Sequence, residues 1–600
     1  MNGSQPHGAA APAGSLSART EPAFRAYRCD FATRVLAGAD APSEALLLAA
    51  HSLEKSRWLF PSSRERALYD ALLEEAATAD GDRRARLFIV ATFFEPAYLV
   101  PFVPDFSALD DAELQIEICK LLTETPILLK YEGDAETYVR HLQRLMKLTA
   151  ELELSHELKL LPEACRSALS YGVSFPPALA SPENLRPLFE MRGEYLEIFT
   201  RGHSTAGVAG WSPPRRKWFR RRRVGFLVAS LTASANSYYL APYIAAARKA
   251  GCRTFLYTTK GGGVAEELSD IAEGLVVRDL DERGFSAFIQ TIRADELDAI
   301  FIGGNIVGHF DPVCAISTFR LAPAQIALGA NPSTTGLPSC THFLTADTTE
   351  ADTLPEIAES YSETPIVMRG LFNRFHPAML GEWRPDEARL AALRRELTDN
   401  GRFSQVLFSN VNIVKLRREV AAVWAEILDK APGSALVLAP FNPSWTSTAK
   451  DEYVVDRALR DMFAAHGIGT NRIRLVRPSK GIGRLRDLSE IADLYLDAWP
   501  FTSCSSLVWP LAHGCPPIVM DGRWQRARQA AAMVGSIGLE RLAARTPEDY
   551  AAKAIQLLRD PEELARVSAV IQAAAAEPPW METTVLNREF KRALKTAWAG

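Results

Sequence analysis

The sequence predicts an all-α domain followed by two doubly wound α/β lobes. Three features carry this reading. Apolar residues keep helical spacing from about Glu21 to Gly210. From Arg223 onward, short apolar runs alternate with helix-period stretches. The alternation breaks near Gly370 and then begins again.

At 600 residues the chain is too long for one hydrophobic core, so several domains are expected. Its 68 basic and 72 acidic residues leave a net charge of −4, which offers no global attraction for a polyanion. Nucleic acid is therefore not an expected partner. The eight cysteines form no CxxC pair and no Cys/His cluster at metal-ligand spacing, as in a reducing, cytoplasmic setting. No apolar run approaches the ~18 residues of a membrane span.

Residues 1–20 are rich in Gly, Ala, Ser and Pro and read as a disordered tail. Residues 21–210 form the all-α domain; "YVRHLQRLMKLTAELEL" shows the three-and-four spacing. Residues 211–223, "WSPPRRKWFRRRR", read as a basic linker at a domain boundary. The same run also has the composition of a patch for nucleic acid or acidic lipid.

Residues 224–385 hold "VGFLVAS", "RTFLYTT", "LVVRDL", "DAIFIGG", "AQIALGA" and "HFLTAD", runs of the buried parallel-strand type. Residues 400–577 repeat the pattern with "QVLFSN", "ALVLAP", "IRLV", "DLYLDAW" and "PIVMD". Residues 578–600 are a C-terminal helix expected to cross back to the first lobe. Two such lobes leave a cleft at the carboxyl ends of their strands.

Two strand–turn–helix units stand out. "VLFSNVNIVKLRRE" places Lys415 in the opening turn of a helix, where it can reach a diphosphate above the sheet. "LYLDAWPFTSCSSLVWPLAHG" places Ser505 or Ser506 as the N-cap of the next helix, and a helix N-terminus favours phosphate. "KGGGVAEE", from Lys260, follows a strand but lacks dinucleotide-loop spacing and reads as a loop. "PFNPSW" follows a second-lobe strand; its Phe441 and Asn442 offer a ring and an amide to a base. In "GGNIVGHFDP", His309 and Asp311 are candidates for a catalytic base. His342 is a further histidine expected near the cleft.

The segment "RLAPAQIALGANPSTTGLPSCTHFLTAD" resembles a stretch of O-GlcNAc transferases and bacterial adhesin N-glucosyltransferases. The Lys415 unit, "YLDAWPF…SS…AHG" and "TPEDYAAKAIQLLRD" follow in that family's order, so the resemblance covers about residues 222–575. It implies a GT-B fold and a metal-independent, inverting glycosyltransferase. UDP-glucose or UDP-N-acetylglucosamine would be its co-substrate, with no cofactor. The acceptor would be an Asn or Ser/Thr side chain of a protein, of adhesin or flagellin type, held by the all-α domain.

Carried over by position, Lys415 matches the diphosphate lysine and Asn412 a polar residue at the nucleotide. Ser505 and Ser506 match the hydroxyl pair at the phosphate, and Lys480 a uridine-side lysine. Asn331, Pro332, Ser333, Thr334, Thr335 and Gly336 match the loop lining the sugar and acceptor side. Trp509 stands where the family keeps a ribose-holding aspartate. Tryptophan cannot accept a hydroxyl's hydrogen bond but offers a ring for stacking. Family histidines expected within "SLTASANSYY" and near Gly483 are also absent. These departures leave open a different nucleotide sugar, a different way of holding it, or a degenerate binding or scaffold protein. A transferase for a small molecule or glycan is the remaining alternative.

Overall fold

All strands among the described residues belong to two parallel sheets, and each sheet grows outward from its first strand. The computed structural model describes residues 11–12, 15–38, 42–203, 208, 210–213, 220–350, 353–441, 452–477 and 483–599. The first sheet comprises β1 (Arg223–Val228), β2 (Arg253–Thr258), β3 (Val276–Asp279), β4 (Ala299–Ile302), β5 (Ala324–Leu328), β6 (His342–Ala346) and β7 (Thr364–Met368). Its order is β3-β2-β1-β4-β5-β6-β7. Val224 of β1 lies opposite Thr254 on one side and Ala299 on the other. Every residue of β4 and β5 is buried, which is why these strands read as continuous apolar runs.

The second sheet comprises β8 (Gln405–Ser409), β9 (Ser434–Leu438), β10 (Ile473–Leu475), β11 (Leu494–Leu496), β12 (Pro517–Met520) and β13 (Ala543–Ala544). Its order is β10-β9-β8-β11-β12-β13. The direction of growth reverses between β1 and β4 in one sheet and between β8 and β11 in the other. A reversal opens a crevice at the carboxyl ends of the two strands, the position where this architecture binds ligands.

The chain divides into two compact units. The first comprises Met1–Pro177, Asn412–Ala422 and Phe441–Thr470; the second comprises the rest and contains both sheets. This differs from the domain scheme read from sequence in two places. The Arg186–His203 helix, expected in the all-α domain, clusters with the sheets. Two segments expected in the second lobe cluster with the helices. Helical period alone cannot tell a helix packed on helices from one packed on a sheet.

In the first unit, helices such as Ser63–Thr78 and Asp134–Leu154 enclose buried charges. Arg28 is fully buried; its Nε donates to Glu65 at 2.6 Å and its Nη1 to the carbonyls of Ser56 and Phe93. Lys130 Nζ donates to Glu95 at 2.8 Å and to the carbonyls of Arg57 and Leu59. Buried charges persist only with such partners. The inserted segments join this scheme through Tyr453, whose hydroxyl donates to Glu21, and Arg417, which meets Glu136 at 3.2 Å.

In the second unit, the Arg186–His203 helix lies on the first lobe. Arg192 is buried and donates to the carbonyls of Ile306 and His309 at 2.9 and 3.1 Å. Two glycines let the helix approach. A Cβ on Gly193 would lie 1.8 Å from the Gly336 carbonyl oxygen, and one on Gly336 would lie 1.8 Å from the Phe189 carbonyl oxygen. The segment leading into this helix is held by the second lobe. Arg526 donates to the carbonyls of Leu179, Ser181 and Glu183, and Trp524 Nε1 donates to Pro182. The Thr584–Ala599 helix returns to the first lobe, where Phe590 meets Tyr243 and Phe301 at ring separations of 5.6 and 5.0 Å.

Gly336 has φ +69°, a conformation that L side chains adopt rarely, besides its contact with Phe189. Gly336→Ala is therefore expected to lower the unfolding free energy by about 3 kcal/mol or to prevent folding. Chemical denaturation of the variant checks this.

Candidate active site

The carboxyl end of β11 builds the crevice of the second lobe. Leu496 ends the strand, and Asp497 follows it with no solvent exposure. A buried carboxylate must be hydrogen-bonded, and here the partners are backbone. Both Asp497 oxygens accept from the Ser503 N–H at 3.0 Å, and Oδ1 also accepts from the Ala498 N–H at 2.9 Å. The chain from 497 to 503 is thereby closed into a loop.

This closure divides the hydroxyl-rich turn in two. Thr502 and Ser503 are fully buried. Thr502 Oγ1 donates to the Arg526 carbonyl at 3.1 Å, and Ser503 Oγ lies 3.0 Å from the Tyr495 hydroxyl. Cys504, Ser505 and Ser506 are half-exposed. Ser505–Leu507 form a 3-10 turn that runs into the Val508–Ala512 helix.

The expectation that Ser505 or Ser506 caps this helix is corrected. Cys504 occupies the cap position of the Ser505–Leu507 turn, and its side chain makes no capping hydrogen bond. Anchoring Ser503 on Asp497 starts the turn one residue ahead of the serine pair. Both serines therefore lie in the first turn, where backbone N–H groups lack intrahelical acceptors. Among the described residues, the N–H groups of Ser505 and Ser506 donate to no protein atom.

Asn410, just past the end of β8, ties the two sides of the reversal together. Its Nδ2 donates to the Ser506 carbonyl at 3.1 Å, and its Oδ1 accepts from the Tyr495 hydroxyl at 2.8 Å. The turn with unused amides thus sits at the β8/β11 reversal. Such a turn suits an anion, because oriented N–H dipoles meet negative charge without bringing a counter-charge.

Trp509 is 6% exposed, and the Arg486 guanidinium lies over its ring at 4.8 Å. The ring is covered, so it offers no open stacking surface; this corrects the sequence expectation. Arg486 comes from the Gly483–Ile491 helix and donates Nη1 to the Glu382 carbonyl at 2.8 Å. Its Nε is buried with no hydrogen-bond partner among the described residues.

On the first lobe, His309 follows β4 and is exposed. Loss of hydration and then Arg192 lower its pKa, against an opposing pull from Asp311. Asp311 caps the Pro312–Ser317 helix by accepting from the Cys314 N–H at 2.8 Å, and burial raises its pKa. Asn305, between β4 and His309, has a buried Oδ1 with no partner among the described residues.

Asn331, Pro332, Ser333, Thr334, Thr335 and Gly336 are all buried. Asn331 Oδ1 accepts from the Ile306 N–H at 2.9 Å, which fixes the loop leading to His309. Thr334 and Thr335 donate their hydroxyls to Glu363. These bonds hold the segment in place behind the loop that leads to His309. His342 opens β6, at the amino end of the sheet, so the expectation of a place near the cleft is corrected.

Asn412 and Lys415 belong to the first unit. Asn412 Oδ1 accepts from the Val414 N–H at 3.1 Å, while its buried Nδ2 has no partner among the described residues. Lys415 is 8% exposed. Phe441 is half-buried. Asn442 and Lys480 lie outside the described residues. Sequence reading missed Asn410, Asp497, Arg486 and Asn305. The rule that ligands gather at a strand-order reversal could have found Asn410 and Asn305, had the order been known. Among the described residues, no group of three or more His, Cys, Asp or Glu side chains gathers as a metal site. No helix among them is long and apolar enough to cross a membrane.

No protein-family model matches the chain. It is 21% identical over 390 residues to a Petunia hybrida protein named probable UDP-N-acetylglucosamine–peptide N-acetylglucosaminyltransferase SPINDLY, covering 63% of this chain and 39% of that one. The Oryza sativa protein of the same name is 22% identical over 378 residues, 62% of this chain and 37% of its own. The chain thus spans about two fifths of the length of these curated relatives. A point mutant of the Thermobaculum terrenum O-GlcNAc transferase superposes with a TM-score of 0.56 at 17% identity, covering 98% of this chain and 99% of that one. The chain therefore shares the two-lobed GT-B fold of an O-GlcNAc transferase and resembles such enzymes in sequence.

Asp497→Ala leaves the buried Ser503 and Ala498 amides without an acceptor. The expected loss of stability is about 2–4 kcal/mol, read from urea denaturation. Asp497→Asn is expected to retain part of it, because an amide oxygen can still accept.

Proposed function

We propose that this chain is a glycosyltransferase that moves a sugar from a nucleotide sugar to a protein side chain. The observation that carries the reading is the pair of unused Ser505 and Ser506 amides at the β8/β11 reversal. The relatives' printed names support N-acetylglucosamine from UDP-N-acetylglucosamine, with UDP-glucose as the alternative donor. Ser/Thr and Asn side chains are the acceptor classes, and an adhesin or flagellin-type protein is the acceptor to test first.

In this reading the donor diphosphate rests on the Ser505 and Ser506 N–H groups, with their hydroxyls as further donors. As the sugar leaves, negative charge grows on the diphosphate, and preorganised donors stabilise it most when it is fully developed. The resemblance assigns Lys415 the role of a diphosphate-contacting lysine. No metal is required by this scheme. A hydroxyl acceptor must lose a proton, and His309 is the group proposed to take it. Its lowered pKa keeps the imidazole neutral, hence basic, at neutral pH. Asp311 is a poorer base because its carboxylate is spent on the Cys314 amide.

One observation favours a second reading, a nucleotide-binding or scaffold protein without turnover. The position of the ribose-holding acid is filled by Trp509 beneath Arg486. Turnover separates the two readings.

UDP release from UDP-N-acetylglucosamine with candidate acceptors is expected for the wild type. Lys415→Ala is expected to lower it by about 10²–10³-fold. Undiminished release would remove Lys415 from the mechanism, and absent release with intact UDP binding would favour the scaffold.

A pH profile tests the base. The rate should fall as pH drops through the His309 pKa, below the usual imidazole value of 6.5, and stay level above it. His309→Ala should abolish that acid limb; an unchanged limb would assign the base elsewhere.

A further inference from the structure

The described part of the basic run, Arg220–Arg223, borders a groove on the first lobe. Arg221 lines a groove of about 730 Å³ beside the Ala235–Lys249 helix, together with Arg248 and Lys249 from that helix's last turn. Ala241, Pro242 and Ala245 of the same helix give the groove an apolar wall.

The three cations form no ion pair with a carboxylate among the described residues. Arg221 Nε donates to the Gly251 carbonyl at 2.6 Å, and the Arg248 Nη atoms donate to the carbonyls of Glu273 and Asp270. Those bonds position both guanidinium groups without neutralising them. The remaining donors are the Arg221 Nη atoms, Arg248 Nε and Lys249 Nζ. Asp270 is the lining carboxylate, and it meets His376 Nε2 at 3.1 Å. The lining is therefore net positive.

Two basic residues in a last turn also answer the helix dipole. Arg221 is not on that helix, and like charges gathered on one groove repel unless an anion joins them. The helix presents its carbonyl end here, so an anion must meet the side-chain cations rather than the helix terminus. Carboxylates spread along an extended chain, with apolar side chains between them, match both the separated cations and the apolar wall.

The groove runs along the C-terminal half of the helix, from Lys249 back to Ala241. His376 and Pro377 line it, and the His376 N–H donates to the Tyr238 carbonyl at 2.7 Å, in the first turn of the helix. The lining stretch Ala241–Lys249 spans roughly 13 Å, enough for about four extended residues.

We propose that this groove docks an acidic segment of the protein substrate, with apolar residues spaced between its carboxylates. The word substrate rests on the function proposed above; the docking does not.

The test is fluorescence anisotropy of the full chain with a short fluorescein-labelled peptide of Glu-Leu-Gly repeats. A Lys-Leu-Gly peptide is the control. The wild type should bind the Glu peptide alone, and added salt should weaken binding. Arg221→Glu with Lys249→Glu should weaken binding by about tenfold or more, at an unchanged thermal unfolding midpoint. If that pair misfolds, Arg221→Gln with Lys249→Gln should still weaken it several-fold. Equal binding by folded variants would overturn the proposal. So would binding of both peptides, or stronger competition by pyrophosphate or duplex DNA than by unlabelled Glu peptide. Peptide binding by a chain that releases no UDP from UDP-N-acetylglucosamine with the candidate acceptors would sink the transferase reading and leave the groove standing.

Discussion

A carboxyl group with no solvent exposure must find in the protein the hydrogen bonds that water would have given. Asp497 obtains them from the backbone of its own turn, from Ala498 and Ser503. The geometry of the β8/β11 crevice follows from that bond. It holds Thr502 and Ser503 inward, where their hydroxyls complete the packing against Arg526 and Tyr495. It also sets where the next turn starts, and so which amides are left over. A hydroxyl-rich stretch becomes two layers, one structural and one facing the crevice.

The first lobe reaches its crevice by a different route. Its β4 loop is shaped from behind, by Arg192 on the carbonyls of Ile306 and His309 and by Asn331 on the Ile306 amide. The glycine contacts of the Arg186–His203 helix bring those groups into range. Arg526 of the second lobe then grips the segment that leads into the same helix. Its guanidinium is buried against three carbonyls, and burial pulls its pKa down to about 9. One short stretch of chain, 178–203, is thus shared by both lobes. This coupling of loop to helix to opposite lobe suits a crevice whose two walls must keep register.

The alternation of apolar runs was enough to read the two parallel lobes, because buried parallel strands are apolar on both faces. It could not place the Arg186–His203 helix, whose period is that of any amphipathic helix. The place of Ser505 and Ser506 in a turn between strand and helix could be read from the sequence. Their position relative to the cap could not, since it depends on the Asp497 bond across six residues. The Asn331–Gly336 segment was legible as a motif but not as a buried support. Its burial comes from Glu363 and from the helix at Gly193, both distant in sequence. Arg486 over Trp509 was illegible for the same reason: the pair forms only after two helices pack.

The proposed function requires the Ser505–Ser506 turn to receive the diphosphate of a nucleotide sugar. A crystal structure of the chain grown with UDP tests this most directly. Phosphate oxygens are expected within hydrogen-bond distance of the Ser505 and Ser506 amides, with the Asp497–Ser503 bond intact. UDP bound elsewhere, with these amides still unused, would contradict it.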